Sequence, residues 1–173
     1  EVLKKRKIGY IGLVQNDFTT GKQRYLAYED FVNSKKIKNI SYFGDFKYKT
    51  GYEYGIEMLE NEVDSVICAT DNIALGLRKY LFEKSREDII VSGVGNNDLL
   101  SFLYRDHITV DFLYRESGEY AGKLMLDKIK RNSDFVGQSI NNKKVFKSKL
   151  VVNGKVIKDK KKKLGFPFVM FYN

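Results

Sequence analysis

The stretch Asn16–Arg24, NDFTTGKQR, gathers two threonines, a glycine, a lysine and an arginine at the opening of what patterns as an amphipathic helix. The unpaired backbone N–H groups of a helix start carry partial positive charge, so acidic side chains are favoured there and basic ones are not. Lysine and arginine in that place imply a negative charge delivered from elsewhere. The chemistry on offer is recognition and not bond-making. The spacing of Gly21 and Lys22 is not that of a nucleotide-binding P-loop, and no lysine-serine or lysine-threonine pair follows. His107 has no Ser, Asp or Cys constellation around it in sequence and is assigned to a turn. Glu116 and Glu119 sit three apart on a lysine-bearing helix, the pattern of a solvated face. No metal-ligand spacing occurs. The expectation is a protein that is not an enzyme and carries no cofactor and no metal.

The elements that position these residues alternate along the whole chain. KIGYIGLV patterns as a strand and GKQRYLAYEDFVNS as a helix, then KNISYF as a strand and KTGYEYGIEMLEN as a helix. VDSVICA is a strand and DNIALGLRKYLFEK a helix with Ile73, Ala74, Leu77, Tyr80 and Leu81 on one stripe. DIIVSGV, the short helix NDLLSFLYR, the strand HITVD, the long helix YRESGEYAGKLMLDKIKR and a closing strand KVFKSKLVVNG complete the series. Strict βαβα order implies parallel strands joined by helical crossovers, with helices on both faces. No fixed-period repeat occurs; the polar stretch NSDFVGQSINN and the lysine run after Gly154 are the only breaks.

Composition bounds the reading. With 173 residues, 43% hydrophobic and 14% aromatic, the chain can bury a core of its own. No apolar run has the length of a bilayer span, and the N-terminal EVLKKRKIGYIGLV lacks the order of a signal peptide, so a soluble cytoplasmic protein without membrane contact is expected. The single cysteine, Cys68, cannot close an internal disulfide and agrees with a reducing compartment. The formal charge of +9 raises nucleic acid as a partner. More than half of the excess lies in KVIKDKKKK, with six lysines and one aspartate, which reads as a solvated basic tail. A DNA-contacting arm is the alternative, and no helix-turn-helix, zinc-finger or RNA-binding signature supports it within these residues.

An open parallel sheet places ligands in the crevice at the carboxyl ends of its strands. Polar clusters follow the strands at those ends: Asn16, Asp17, Thr19 and Thr20 after the first, Asp45 and Phe46 after the second, Thr70 and Asp71 after the third, Gly95, Asn96 and Asn97 after the fourth. Any one of them serves equally as a helix cap. Four together, with an aromatic among them, favour a cleft for a small polar ligand.

The stretches YIGLVQNDFTTGKQRYLAY, SVICATDNIALGLRKYL, VSGVGNNDLLSFL and ITVDFLYRESGEYAGKLMLDKI, in that order over about residues 3 to 152, resemble the effector-binding domain of lactose-repressor-family transcription regulators. The combination TTGKQR, CATD and VGN is most similar to the members that sense trehalose 6-phosphate. The resemblance implies a periplasmic-binding-protein-like, doubly wound α/β domain over residues 1–154. Part of its N-terminal subdomain would be missing, and a tail over 155–173 is left without a set place. It implies a DNA-binding headpiece upstream of Glu1, a homodimer, a sugar or sugar phosphate as effector, with trehalose 6-phosphate favoured, and operator DNA contacted only through that headpiece. The segment LGFPFVMFY looks like the "PFV" strand such proteins carry upstream of residue 1; an unrelated apolar tail is the other reading. A sugar-binding protein of a transport system shares the architecture and stands as the alternative function.

By the same resemblance Arg24 holds sugar hydroxyls or phosphate, since its planar fork can grip either in two directions. Asp17, Thr19, Thr20 and Lys22 join it at the helix start, where a phosphate would meet free N–H groups, hydroxyls and positive charge. Phe46 lies against a sugar face, with core burial as its alternative. Thr70 and Asp71 contact the ligand or cap the next helix. Gly95 and Asn96 stand where relatives carry an acidic residue aimed at the sugar, and loss of that acid suits an anionic effector. Leu75, Leu99, Phe102 and Leu103 fall on helices that pair two protomers, or belong to the core.

Overall fold

A computed structural model describes residues 7–130 and 144–157, and the backbone of 167–169. Five strands, β1 (Ile8–Leu13), β2 (Ile40–Gly44), β3 (Ser65–Cys68), β4 (Ile90–Val94) and β5 (Ile108–Asp111), pair in parallel in the order β2-β1-β3-β4-β5. The crossovers are α1 (Arg24–Lys35), the pair α2 (Tyr48–Glu53) and α3 (Gly55–Glu60), then α4 (Asp71–Glu83) and α5 (Asp98–Leu103). Right-handed crossovers put α1 on one face of the sheet and α2 to α5 on the other. The strand order reverses between β1 and β3, which is where an open α/β sheet leaves its crevice.

Two sequence expectations are corrected. The helix expected over 49–61 is divided at Tyr54, where the last turn of α2 closes on Thr50 and α3 starts afresh. The closing strand expected over KVFKSKLVVNG is divided too. β7 (Lys149–Val152) joins β5, and β8 (Lys155–Val156) follows through a tight turn at Asn153 and Gly154, both antiparallel. β6 (Val145–Lys147) instead pairs with β9 (Pro167–Val169) in a separate two-stranded sheet. β8, reached from β7 by a two-residue turn, has no helix to carry it over the sheet, so it can pair with β7 only antiparallel. The NSDFVGQSINN stretch lies outside the described residues, as does most of the lysine run.

The core is the buried side of both layers. Under α1 the rings of Tyr10, Tyr25, Tyr28 and Phe43 pack with centroids 4.9–6.4 Å apart. The Tyr28 hydroxyl bonds the carbonyls of Ile8 and Ile40, and so ties α1 to the first two strands. On the other face Ile11, Leu13, Met58, Val66, Ile73, Leu77 and Val91 are buried together. There α2 and α4 cross with glycine against backbone: a Cβ on Gly51 would lie 1.9 Å from the Ile73 carbonyl oxygen, and one on Gly76 1.7 Å from that of Tyr48. The last helix among the described residues, α6 (Tyr114–Lys130), is long and little buried. Only Ser117 on it is buried, and Met125, Leu126 and Ile129 are exposed.

Candidate functional site at the strand ends

The chain leaves β1 at Leu13 and enters a six-residue π-helical turn, Phe18–Gln23, that runs directly into α1. Such wide turns are rare and recur at functional sites. Asp17 caps it: Oδ1 accepts from Thr20 N at 2.5 Å, from Gly21 N at 3.1 Å and from the Thr19 hydroxyl at 3.2 Å. Gly21 is needed because a Cβ there would fall 2.5 Å from the Val14 carbonyl oxygen. The anion that the basic helix start asks for is therefore supplied within the chain. The expectation that a phosphate meets free N–H groups there is corrected, because the Thr20 and Gly21 donors are already taken. These bonds hold the Asp17 carboxyl below the usual aspartate range. A depressed carboxyl stabilises the fold above its ordinary value and loses that effect as pH falls through the lowered one. The Thr20 and Gly21 amide resonances are accordingly expected to titrate below about pH 4, and Asp17→Ala to abolish that titration while β1 is unchanged. Lys22, in the last part of this turn, is exposed.

Arg24, the first residue of α1, is half-buried at the crevice. Nη1 donates to the carbonyl of Ala69, just past β3, and the guanidinium lies over the Phe112 ring with 5.4 Å to its centroid. Burial pushes its pKa down, and the Tyr114 and Tyr10 hydroxyls oppose this. One side chain thus joins the ends of β1, β3 and β5. Phe112 and Tyr114 frame it from Leu113, whose φ of +60° is a strained conformation for leucine; Asp111 Oδ1 fixes it by accepting from Leu113 N at 2.7 Å. Sequence reasoning missed Phe112 and Tyr114, although ITVDFLYR carries both directly after a strand. It missed Phe18 as well, which is 64% exposed at the same edge.

Phe46 is 51% exposed past the end of β2, so the core alternative for it is excluded. Its neighbour Asp45 is occupied in starting α2, accepting from Lys47 N and from the Thr50 hydroxyl at 2.9 Å each. Thr70 caps α4 by accepting from Ile73 N. Asp71 lies beneath the site and not in it, a correction to its expected place in the cleft. It is 3% exposed and accepts from Thr109 Oγ1 at 2.9 Å and from Asn97 N at 2.7 Å. His107, expected as a plain turn residue, is fully buried with Nε2 3.3 Å from Asp71 Oδ1.

The 95–97 turn brings Gly95, with φ of +137°, and Asn96 over the end of β5. Gly95 N donates to Val110 O, Asn96 N to the Thr109 hydroxyl, and Asn96 Nδ2 to Asp111 Oδ2 at 3.3 Å. The carboxylate absent from this turn is thus replaced close by, on Asp111, which removes the support that its absence lent to an anionic effector. Among the described residues no group of three His, Cys, Asp or Glu side chains is placed to hold a metal ion, and no helix is long and apolar enough to cross a membrane.

Leu99, Phe102 and Leu103 are exposed on α5, Phe102 at 83%, which excludes the core alternative for them. Leu75 is packed against the core and also lines a hollow of about 500 Å3 between α2 and α4, with Tyr48, Tyr52 and Gly76.

The family described as periplasmic binding protein-like domain matches residues 2–144. The HTH-type transcriptional regulator TreR of Salmonella typhimurium is 34% identical over 129 residues, covering 75% of this chain and 41% of the relative. The solved trehalose repressor from Escherichia coli superposes with a TM-score of 0.70 at 34% identity, over 76% of this chain and 51% of that one. The periplasmic ribose ABC transporter protein of Conexibacter woesei has the same fold, with a TM-score of 0.64 at 15% identity over 75% and 46% of the two chains. The chain spans less than half the length of the curated relatives it matches.

Proposed function

Because the chain belongs to the periplasmic binding protein-like domain family and is homologous to lactose-repressor-type transcription regulators, we propose that it is the effector-sensing region of a sugar-responsive repressor, not an enzyme. Its effector is a disaccharide phosphate, trehalose 6-phosphate before others, and it works in the cytoplasm. The observation that carries the reading is Arg24. A guanidinium has five N–H donors, of which Ala69 and Tyr114 occupy a part, and this one sits where the strand order reverses, against Phe112 and Tyr114, with Phe46 exposed past the end of the neighbouring β2. Aromatic faces suit the C–H side of a pyranose, and the fork suits phosphate or a diol. Thr19, Thr20, Lys22, Gly95 and Asn96 form the polar rim. Asp17, Thr70 and Asp71 support it from within.

The unburied apolar face of α6 fits a second subdomain closing over the cleft, with Leu113 at the junction. Closure would change the spacing of headpieces in a homodimer and so hold or release operator DNA, which only those headpieces touch. A second copy would cover Leu99, Phe102 and Leu103, with Leu75 at the edge. The transport-protein alternative rests on fold alone, since the identity there is 15% against 34% for the regulators.

Thermal unfolding tests the effector on this chain and on the full-length protein, with trehalose 6-phosphate, sucrose 6-phosphate, glucose 6-phosphate and free trehalose each in large excess. A ligand at a hundred times its dissociation constant stabilises the native state by about 2.7 kcal/mol. A shift with trehalose 6-phosphate alone is expected. Full-length protein that shifts with none of the four would remove the sugar-phosphate reading.

A further inference from the structure

Asp71 and His107 do not reach the cleft, yet they form a closed polar group directly under the 95–97 turn. His107 is the single histidine of the chain. Its Nδ1 is buried without a hydrogen-bond partner among the described residues, and its Nε2 meets Asp71 Oδ1 at 3.3 Å. The same carboxylate receives the Thr109 hydroxyl and the Asn97 N–H, and Thr109 Oγ1 in turn accepts from Asn96 N at 3.1 Å. Gly93 lets the carboxylate approach this closely, since a Cβ there would lie 2.2 Å from Asp71 Oδ1. Every bond holding the backbone of Asn96 and Asn97 from below therefore ends, within two steps, on the carboxylate that faces His107.

We propose that the His107–Asp71 pair is a proton-responsive support of the 95–97 turn, with His107 a positioning residue that acts on the site through Asp71. The effector reading gives the turn its purpose; the device itself needs no effector. The carboxylate assigns the neutral imidazole proton to Nε2, leaving Nδ1 as a buried acceptor with nothing to accept. Taking one proton from solvent at Nδ1 makes the ring a cation against Asp71, and a charge-assisted bond to a carboxylate is shorter and stronger than a neutral one. The carboxylate is then drawn toward the ring, and its other two donors, Thr109 and Asn97, must follow or lengthen. The new Nδ1–H is a buried donor without a partner, which further favours opening the turn to water.

The surrounding charges are few. Asp71 and Arg78 come from α4, Arg78 being paired bidentately with Asp106 of the adjoining turn. Cys68 at the end of β3 is held as the thiol, its pKa pushed up by burial. β4 carries no titratable side chain, and Lys149 of β7 is at the far end of that strand, 3.8 Å from Glu116.

A pH titration of the ligand-free full chain by NMR tests this, because one histidine gives one set of ring signals. The expected result is that the Asn96, Asn97 and Thr109 amide resonances shift with the same midpoint as the His107 ring, and that His107→Gln abolishes that component while leaving any carboxylate step at lower pH. A ring that titrates while the Asn97 amide stays still, or a ring that takes up no proton before the chain unfolds, overturns the proposal. Should His107→Gln fail to fold, the coincidence of midpoints in the wild type decides alone. An Asp71→Asn chain that folds and keeps the coupled shift would also overturn it. Failure of trehalose 6-phosphate to bind leaves these outcomes untouched, so the two readings fail separately.

Discussion

Arg24→Ala is expected to weaken effector binding by about 30-fold to several thousand-fold while the sheet stays folded. Truncating one member of a buried, hydrogen-bonded charge pair costs about 2–5 kcal/mol, and each 1.4 kcal/mol is tenfold in affinity. The guanidinium is suited to such a pair because it is already half-buried and oriented, by the Ala69 carbonyl on one side and the Phe112 ring on the other, so little is lost in ordering it on binding. The fold tolerates the change because its own debt to Arg24 is small. The contact with Ala69 is one hydrogen bond, worth about 1 kcal/mol, and α1 is held independently by Tyr28 and Val32 in the core. Arg24→Lys keeps the charge and loses the fork, so an intermediate loss is expected. Calorimetric titration of full-length protein measures all three; an alanine variant that binds trehalose 6-phosphate as tightly as the wild type would take Arg24 out of the site.

Gly76→Ala is expected to destabilise the chain by about 3 kcal/mol or more, lowering Tm by about 6–12 °C. Neither Gly76 nor Gly51 has a positive φ, so conformation is not the obstacle. The obstacle is the 1.7 Å that would separate the new methyl from the Tyr48 carbonyl oxygen. That atom is backbone, so relief requires α2 to move off α4, and this opens the core that Ile73 and Leu77 close. Gly118→Ala and Gly122→Ala on α6 supply the contrast. A Cβ at either position meets nothing within 4 Å among the described residues, so removing a helical glycine there is expected to stabilise by about 0.5–1 kcal/mol. Thermal melts of the four chains give opposite signs if the α2–α4 crossing is as close as described. A Gly76→Ala chain at or above wild-type stability would mean the helices stand further apart.

The parallel βαβ frame was legible because each of its strands is a short apolar run and each connection an amphipathic helix, and both signals are local. Arg24 was legible only as an unexpected charge at a helix start; its expected role toward a ligand came from the family resemblance. The split of the 49–61 helix was not, because Gly51 and Gly55 look like ordinary weak points until α4 and Tyr80 are seen against them. Nor was the antiparallel turn of β7, since a strand pattern carries no direction.

The roles of the acidic residues divided most clearly between sequence and tertiary structure. By itself the sequence determined that Asp17, Thr70, Asp71 and Asn97 stand at helix starts along one edge of a sheet, since capping chemistry acts over three or four residues. It could not determine which of them face the ligand. That depends on neighbours distant in the chain: Asp71 is withdrawn from the cleft by Thr109 and His107, 38 and 36 residues away. Asn96 is matched to Asp111, 15 residues on. Arg24 becomes a crevice residue only because Ala69, 45 residues later, brings it a carbonyl. Local periodicity and capping encode elements and their ends; burial of a charge is decided by what the folded chain brings against it, and desolvation then fixes whether that charge binds a ligand or braces the site.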